Sequence, residues 1–285
     1  MDKKNRITMD YKRKVEFAIK LLRSIPQDGP IEVSYSGGKD SDVILRLAQM
    51  AGIRYEAIYK NTTIDPPGTI AHCKAKGVRI VNPEKRFFDL VKEKGFPTRF
   101  QRFCCGYLKE YKIHDRAIQG IRREESRKRA ERYKEPEFCR AYPHKEKARI
   151  YLPILEWSGE DVERFVEDEG VKCHPLYYDE NGKFHVERRL GCLGCPLQSI
   201  KNRKEAYKQY PKMLLQSMRA LKVYYDNHPF SPSAKIFDYD VYEKFFADLF
   251  YNSPSEYRRF NDGLLFRDKP TKQFLEEYFG IDLTI

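Results

Sequence analysis

The residues best suited to chemistry form the run Ser-Gly-Gly-Lys-Asp-Ser at residues 36–41, directly after the apolar segment Ile31–Tyr35. Adjacent glycines let the backbone pass close to a ligand and adopt φ values that other residues resist. A helix starting here would direct its free N–H groups and the positive end of its dipole at the same ligand. The run therefore predicts a strand-to-helix turn that binds pyrophosphate or a similar anion, with Lys39, Asp40 and Ser41 as candidate catalytic residues.

A second candidate anion site is the run Gly-Ile-Arg-Arg-Glu-Glu-Ser-Arg-Lys-Arg at residues 120–129. A glycine at the end of a predicted strand, followed by arginines and a serine, suits oxyanions because the planar guanidinium matches two oxygens at once. The alternative is the solvated face of a charged helix, which is the usual explanation of a charge run. The residues alone leave both interpretations open.

Cysteines supply the third constellation. The chain has seven, and four of them form two close pairs, Cys104-Cys105 and Cys192-Leu-Gly-Cys195. A pair of adjacent cysteines is unusual for zinc, whose paired ligands are normally separated by two or more residues, and it suits an iron–sulfur cluster better. Three interpretations stay open from the spacing: an iron–sulfur cluster, a zinc site, or reduced thiols that form a redox disulfide.

Composition restricts the class of protein. The chain has 285 residues, 41% of them hydrophobic and 34% charged, with a net charge of +12. The positive charge favours phosphorylated ligands or nucleic acid, although a generally basic surface would also explain it. No apolar run reaches the length of about 18 residues expected of a membrane span. Since the start, Met1–Arg6, does not lead into an apolar signal core, we expect a cytoplasmic protein without a membrane partner.

The elements that position these residues alternate between strand and helix patterns. Predicted strands at 55–59, 78–81, 116–121 and 150–155 follow the central turn, and residues 134–147 are predicted to form an exposed loop. This alternation predicts an α/β fold with an open, mainly parallel sheet and crossover helices. Ligands in such sheets lie at the carboxyl ends of strands, where the central turn and the loop Asn61–Asp65 both fall.

Past residue 199 the pattern changes to apolar and aromatic residues at helical spacing. We therefore expect a nucleotide-binding domain with the cysteine cluster at residues 1–199 and a helical region at residues 200–285. The aromatic rows of the second region are most simply a core, with a base-stacking surface as the alternative.

The run at residues 36–41 resembles the PP-loop of the ATP pyrophosphatase superfamily. Four motifs together resemble the phosphoadenosine phosphosulfate (PAPS) reductase family. They are this run, Cys-Cys-x-x-Leu-Lys at 104–109, Gly-Ile-Arg-Arg-Glu-Glu-Ser at 120–126, and Leu-Tyr-Tyr-Asp at 176–179 leading to Gly-Cys-x-x-Cys-Pro at 191–196. The four motifs occur here in that family's order. The resemblance covers about residues 34–196 and implies the adenine nucleotide alpha hydrolase-like fold.

The resemblance also implies roles for residues. The loop would hold phosphate, residues 61–65 would lie near the nucleotide, and Lys109 with the arginines would line its anionic part. The residues expected at the nucleotide are Ser34, Ser36, Gly37, Gly38, Lys39, Ser41, Asn61, Thr62, Asp65, Lys109, Gly120, Arg122, Arg123, Ser126 and Arg127. The quartet Cys104, Cys105, Cys192 and Cys195 is similar to that of adenosine phosphosulfate (APS) reductases, which bind a 4Fe–4S cluster.

One departure affects the expected activity. Those reductases use a nucleophilic cysteine in a Glu-Cys-Gly-Leu-His type motif, and no cysteine follows Cys195 in this sequence. Sulfur reduction needs a thiolate that attacks sulfur. The favoured hypothesis is therefore a protein that binds ATP and Mg²⁺ and cleaves ATP to AMP and pyrophosphate. This reaction would activate a substrate for sulfur transfer, with DNA or RNA as acceptor and a sulfur donor such as a cysteine desulfurase.

Two alternatives from other classes remain. One is a sulfonucleotide reductase that uses a different thiol, either its own or a partner's. The other is a non-catalytic module that binds nucleotide or nucleic acid and contains a structural metal.

Overall fold

A computed structural model of the chain describes residues 11–142, 145–252, 256–257 and 269–285, without the side chains of residues 145–146 and 233–234. The start of the sequence at Met1–Arg6, on which the expectation about a signal segment rested, lies outside the described residues.

The chain divides into two compact units that interleave along the sequence. The first comprises Met1–Asn61, Asp65–Pro83 and Leu108–Gly191, and the second comprises Thr62–Ile64, Glu84–Tyr107 and Cys192–Ile285. The functional boundary expected between residues 199 and 200 stays a prediction.

The first unit is built on a six-stranded sheet of the described residues. Its strands are β1 (Ile31–Tyr35), β2 (Glu56–Lys60), β3 (Arg79–Val81), β4 (Arg116–Ile118), β5 (Glu137–Tyr142) and β6 (Lys145–Tyr151). They are arranged in the order β3-β2-β1-β4-β6-β5. All neighbouring pairs are parallel except β5 with β6, which is antiparallel. The predicted α/β class with an open, mainly parallel sheet is confirmed.

Helices connect and flank these strands. In chain order they are α1 (Tyr11–Arg23), α2 (Lys39–Ala51), α3 (Thr69–Ala75), α4 (Phe87–Lys94), α5 (Phe103–Leu108), α6 (Arg127–Arg132), α7 (Gly159–Asp168), α8 (Ile200–Gln209), α9 (Pro211–Asn227), α10 (Pro232–Lys235), α11 (Val241–Phe250) and α12 (Thr271–Phe279). Among the described residues, no helix has both the length and the apolar composition that crossing a bilayer requires.

The core of the first unit explains how the turn between β1 and α2 is positioned. Val33 of β1 and Ile44 and Leu47 of α2 are fully buried in one cluster that also contains Trp157 and Phe165. Burial of apolar side chains on both elements holds the strand and the helix at a constant distance and orientation. The turn that joins them is therefore anchored at both ends.

One predicted loop and the end of one predicted strand were wrong. Residues 134–147 were expected to form a loop, but they contain β5 and the start of β6. Their polarity was misleading because an antiparallel edge pair can keep one face in water, as the alternation of exposed and partly buried residues along β5 shows. The strand expected at 150–155 ends at Tyr151, and the apolar residues after it form a buried turn.

The second unit is rich in aromatic contacts between its helices. Phe96 lies 5.2 Å from Phe245, Phe246 lies 5.4 Å from Phe274, and Phe250 lies 5.2 Å from Phe274, measured between ring centroids. These edge-on contacts connect α11 with α12 and with the segment after α4. The aromatic rows thus pack on one another, as expected for a helical core.

Candidate functional site

The turn between β1 and α2 requires glycine at the first of its two glycine positions, Gly37. Gly37 has φ of 79°, in the left-handed region, and a Cβ built there would lie 2.9 Å from Cγ2 of Thr69. Both the backbone angle and the neighbouring threonine exclude a side chain. The first residues of α3 therefore lie against the turn and contribute to its shape.

Hydroxyl groups hold the turn from inside. The Ser41 hydroxyl donates to the carbonyl oxygen of Gly38 over 2.6 Å, and the Ser36 hydroxyl donates to Ser41 Oγ over 3.3 Å. Ser36 Oγ also accepts from the Gly38 N–H over 3.4 Å. Ser36 itself is exposed, so its hydroxyl lies where a ligand would reach the turn.

Lys39 is the buried cation of the site. Its side chain is 5% exposed, and Nζ lies 3.3 Å from Oδ2 of Asp40 and 5.4 Å from the centroid of the Tyr177 ring. Burial lowers the pKa of Lys39 and the neighbouring guanidinium groups of Arg122 and Arg189 lower it further, against the opposing effect of Asp40. The ammonium group is thus short of negative charge, which a bound anion would supply.

Asp40 connects the turn to the end of β4. Its Oδ1 accepts from Arg122 Nε over 2.7 Å, and Arg122, which is 5% exposed, also donates from Nη1 to Glu124 over 2.9 Å. A Cβ at Gly120 would lie 2.8 Å from the carbonyl oxygen of Asp40. The glycine therefore allows the backbone after β4 to approach the first turn of α2 closely enough for the Asp40–Arg122 pair to form.

Two further arginines join this group, and neither is among the site residues expected from the sequence. Arg189 Nη2 donates to Glu125 Oε1 over 3.2 Å, and Arg129 pairs with the same carboxylate. Burial, together with the charges of Arg189 and Arg122, lowers the pKa of Arg129. Arg122 and Arg189 therefore lie within electrostatic reach of both Lys39 and Arg129. A sequence signal for Arg189 existed in the Arg-Arg dipeptide at residues 188–189, shortly before Gly191 and Cys192.

Other expected residues of the arginine run lie elsewhere in the structure. Arg123 donates from Nε to the carbonyl oxygen of Tyr133 over 2.8 Å and also pairs with Glu156. The Ser126 hydroxyl accepts from the Arg129 N–H over 3.2 Å and so caps α6. The Arg127 side chain is 93% exposed and pairs with Glu131. Their binding to the nucleotide stays a prediction, and the structure places Arg122 nearest the turn.

A cavity of about 230 Å³ opens beside the turn. This volume is below the range of about 300–1,000 Å³ usual for whole-ligand pockets, so it suits part of a larger molecule. Four of the expected residues line it: Ser34, Ser36, Asp65 and Lys109. The remaining lining residues are Glu32, Tyr35, Ile58, Tyr59, Lys60, Glu110, Ile113, Gln119, Arg140 and Tyr142.

The cavity is lined by polar groups that are already paired. Glu32 is 1% exposed, and its Oε1 accepts from Ser34 Oγ over 2.8 Å and from Lys60 Nζ over 3.2 Å. Burial lowers the pKa of Lys60, and Glu32 opposes that shift. On the other side Gln119 donates to Tyr142 Oη over 3.2 Å. The cavity therefore presents hydrogen-bonding groups in fixed positions, as recognition of a nucleoside requires.

The loop Asn61–Asp65 contributes residues to both units. Asn61 donates from Nδ2 to Asn82 over 2.9 Å, and Asp65 accepts from Tyr59 Oη over 2.6 Å, both within the first unit. Thr62 belongs to the second unit, where its Oγ1 accepts from the Ile64 N–H over 3.4 Å. Asp65 is the member of this loop that reaches the cavity.

The four paired cysteines all belong to the second unit, and each is partly buried and free of a disulfide. A hydrogen bond with Cys105, then burial, then the charges of Cys105, Cys192 and Cys195 raise the pKa of Cys104. The four thiols are thus within electrostatic reach of one another. Within the described part of the chain, no group of three or more His, Cys, Asp or Glu residues has an arrangement ready to hold a metal ion.

A family model described as the phosphoadenosine phosphosulfate reductase domain matches residues 30–198, which is more than half of the chain. The chain belongs to this family. The matched segment includes the turn, the arginine run and the cysteine quartet, so the PAPS reductase family membership predicted from the four motifs is confirmed, and with it membership of a nucleotide-binding family.

Three curated relatives of this PAPS reductase family member have names that describe them as uncharacterised proteins. One from Methanocaldococcus jannaschii is 26% identical over 215 residues, which is 70% of this chain and 43% of the relative. A second from the same organism is 29% identical, covering 67% and 47%. A 37.8 kDa protein encoded in the gpa 5′ region of Escherichia phage 186 is 32% identical, covering 42% and 38%. The chain thus spans less than half the length of these relatives.

Three of the solved structures that have some similarity to this chain are of enzymes. A PAPS reductase of Candida auris in complex with phosphate has a TM-score of 0.44 at 13% identity, covering 64% of this chain and 93% of that one. A Candida glabrata FMN adenylyltransferase has a TM-score of 0.40 at 14% identity, covering 59% of each chain. A Francisella tularensis NMN synthetase has a TM-score of 0.38 at 11% identity, covering 77% and 94%.

Proposed function

We propose that this PAPS reductase family member is an enzyme that binds ATP at the turn 36–41 and cleaves it between the α and β phosphates. The observation that carries the proposal is the buried Lys39 ammonium, held beside Arg122 and Asp40 at the first turn of α2 and next to the polar cavity. Burying a cation is costly unless negative charge offsets it. A pyrophosphate group at the turn would provide that charge, with the nucleoside in the adjoining cavity.

In the proposed reaction an acceptor oxygen attacks the α-phosphorus of ATP. The bond from that phosphorus to the oxygen bridging to the β-phosphorus breaks, and pyrophosphate leaves with the electron pair. The acceptor's proton passes to solvent, and the acceptor carries AMP. Lys39 and Arg122 would stabilise the charge that develops on the leaving group, which is where preorganised donors accelerate a reaction most.

Magnesium fits this site through its usual ligands, one or two carboxylates together with substrate phosphates. Asp40 is the carboxylate at the turn, with a side chain 17% exposed. The ion would neutralise phosphate charge when bound. Because Asp40 already accepts a hydrogen bond from Arg122, Asp40 would also orient the Arg122 guanidinium group toward the ligand.

We propose a 4Fe–4S cluster at the cysteine quartet, with zinc as the alternative. The donor set of four thiols fits either group. A cluster would provide structural support or sulfur for transfer. DNA or RNA is the acceptor we favour because the net charge of +12 exceeds what a nucleotide pocket needs. A cysteine desulfurase is the proposed class of sulfur donor.

The direct test is to incubate the protein with ATP and Mg²⁺, with and without single-stranded or duplex nucleic acid, and to measure AMP and pyrophosphate. We expect the wild-type protein to form pyrophosphate and an equal amount of AMP, counted as free AMP plus AMP carried by the acceptor, and we expect a loss of about 100-fold or more in Lys39→Ala, as for removal of one transition-state donor. Lys74→Ala is the matched control because Lys74 is an exposed lysine of α3 in the same unit. Binding of ATP without either product, under all these conditions, would contradict the proposal.

Sulfonucleotide reduction is the second candidate, since the family model itself is that of the PAPS reductase domain. This activity would release sulfite from PAPS or APS in the presence of thioredoxin or another dithiol. Release that depends on one of the chain's own cysteines would favour this function over ATP cleavage.

A further inference from the structure

Tyr177 lies at the start of α2 although it is far from the turn in sequence. It ends the short 3₁₀ turn Pro175–Tyr177 and is 2% exposed. Its ring packs against Phe184 with 5.9 Å between centroids, and its carbonyl oxygen accepts from the His185 N–H over 2.8 Å. These contacts hold the ring rigidly, so its hydroxyl group has a defined position.

That position is the first turn of α2. The Tyr177 hydroxyl oxygen accepts from the Leu190 N–H over 3.2 Å and forms a hydrogen bond with the backbone of Lys39. A Cβ at Gly38 would lie 3.3 Å from this oxygen. Gly38 is the N-cap residue of α2 and has no side chain to cap the helix. The tyrosine oxygen thus takes the place of a capping side chain at the start of α2, the helix that follows the turn.

The hydrogen-bond capacity of this hydroxyl is only partly used. A phenol oxygen can accept about two hydrogen bonds and donate one. Both acceptor positions are taken by N–H groups, whereas in the part of the chain that the structure describes no group accepts the Tyr177 proton. Burial raises the pKa of Tyr177 to about 12, so the group keeps its proton at neutral pH and acts as a donor.

The same ring also contacts the catalytic candidate. Lys39 Nζ lies 5.4 Å from the ring centroid, within the range of a cation–π interaction. Tyr177 therefore touches both the backbone and the side chain of Lys39, and its unused donor lies at the place where the turn would present N–H groups to an anion.

We infer that Tyr177 is a ligand-binding residue of this site, whose hydroxyl donates a hydrogen bond to a phosphate oxygen held at the turn 36–41 while its ring positions the Lys39 ammonium group. This inference rests on the proposed function for the location of the phosphate. It goes further by assigning a donor outside the loop and outside the arginine run.

The test is calorimetric binding of inorganic pyrophosphate, which requires no turnover. Tyr177→Phe removes the hydroxyl and keeps the ring, and we expect its affinity for pyrophosphate to fall about tenfold or more, as for loss of a hydrogen bond to a charged group. Tyr177→Leu removes the cation–π contact as well and should bind more weakly still. Tyr178→Phe is the control, because its hydroxyl accepts from the Cys173 N–H over 3.1 Å, so this substitution also removes a tyrosine hydroxyl from a backbone donor, leaving one donor unpaired where Tyr177→Phe leaves two.

Thermal unfolding of each variant without ligand separates folding from binding. Weakened pyrophosphate binding in Tyr177→Phe that remains folded, with unchanged binding in Tyr178→Phe, would support the inference. Wild-type affinity in Tyr177→Phe, equal weakening in both variants, or no binding of pyrophosphate by the wild-type protein would overturn it. If pyrophosphate binds in this tyrosine-dependent way but ATP is not cleaved, the inference stands and the proposed reaction fails.

Discussion

Arg122 donates from Nε to Oδ1 of Asp40 over 2.7 Å, and the two residues are 82 positions apart in the chain. The arginine follows β4, and the aspartate lies in the first turn of α2. Their side chains are 6% and 17% exposed. This ion pair brings Arg122, from the second of the two runs that the sequence offered as separate anion sites, to the turn of the first.

Replacing Asp40 with Asn should destabilise the protein by about 1–3 kcal/mol, because the buried guanidinium loses a charged partner but keeps an amide oxygen and Glu124. Urea denaturation measures this loss. Glu131→Gln removes the exposed partner of Arg127 and should cost less than about 0.5 kcal/mol. Equal effects of the two substitutions would show that the Asp40–Arg122 pair is energetically an ordinary surface pair.

Replacing Gly120 with Ala should move the turn, since the new Cβ would lie 2.8 Å from a backbone oxygen of Asp40 that cannot swing aside. We expect a loss of about 1–3 kcal/mol in stability, as for overpacking, together with weaker ATP binding. Thermal unfolding and calorimetry measure the two effects.

Gly191→Ala serves as the control for this substitution. A Cβ at Gly191 meets nothing within 4 Å, and its backbone angle is ordinary, so the effect should stay within about 0.5 kcal/mol. Unchanged ATP affinity in Gly120→Ala would mean that the approach of the two backbones does not shape the binding site.

Asp161 should make the stability of the first unit depend on pH in the acid range. Its burial alone would raise its pKa, but hydrogen bonds to the carboxylate from Lys14 and from the N–H and hydroxyl of Ser158 outweigh burial and lower the pKa below the ordinary 3.8. A group whose pKa is lower in the folded state contributes its full stability above the unfolded-state pKa. That contribution is lost as the pH falls through the folded-state pKa.

We therefore expect Asp161→Asn to be less stable than the wild-type protein by a constant amount above about pH 5, with the difference shrinking toward pH 3. Urea denaturation at several pH values measures it. Glu160→Gln, an exposed position in the same helical turn, should show no such trend. A difference that grows toward low pH would contradict the assigned sign.

Cys104→Ser should abolish most of the metal content of protein purified without oxygen, because removing one of four thiols opens the coordination shell. Iron, zinc and acid-labile sulfide analyses measure this effect. Cys139→Ser is the control, since Cys139 is exposed and lies outside the quartet. Iron with sulfide in the wild-type protein would support the cluster, zinc without sulfide would support the alternative, and equal metal in both variants would exclude the quartet as the site.

Much of the site could be predicted because its key features are local. The turn needs two glycines, hydroxyl groups and a helix start within a few residues, and each of these is visible in the residues 31–47. The parallel sheet followed from the alternation of strands and helices. The edge pair β5–β6 was missed because apolar and polar residue types do not alternate clearly in its sequence, and half of the β5 residues face water.

The different partners of the two adjacent arginines in the arginine run could not be predicted from the local sequence. Arg122 and Arg123 are neighbours with the same chemistry, yet one binds Asp40 beside the turn and the other binds Glu156 and the carbonyl of Tyr133. Arg122 is an extended residue, with φ of −120° and ψ of 141°, and Arg123 begins a short 3₁₀ turn, so the change of backbone conformation between them directs the two side chains to different environments. Which of the two directions leads to the turn depends on how β4 packs beside β1.

The sequence by itself determined the family, the class of fold and the presence of a glycine-containing strand-to-helix turn, because glycine, serine and lysine at fixed spacing constrain the backbone locally. Only the tertiary structure brought Arg122, Arg129, Arg189 and Tyr177 to that turn. These residues are separated by up to 150 positions from Lys39, Asp40 and Ser41, measured from Lys39 to Arg189. Their convergence depends on the order of strands in the sheet and on burial of the side chains between them, which no local pattern records.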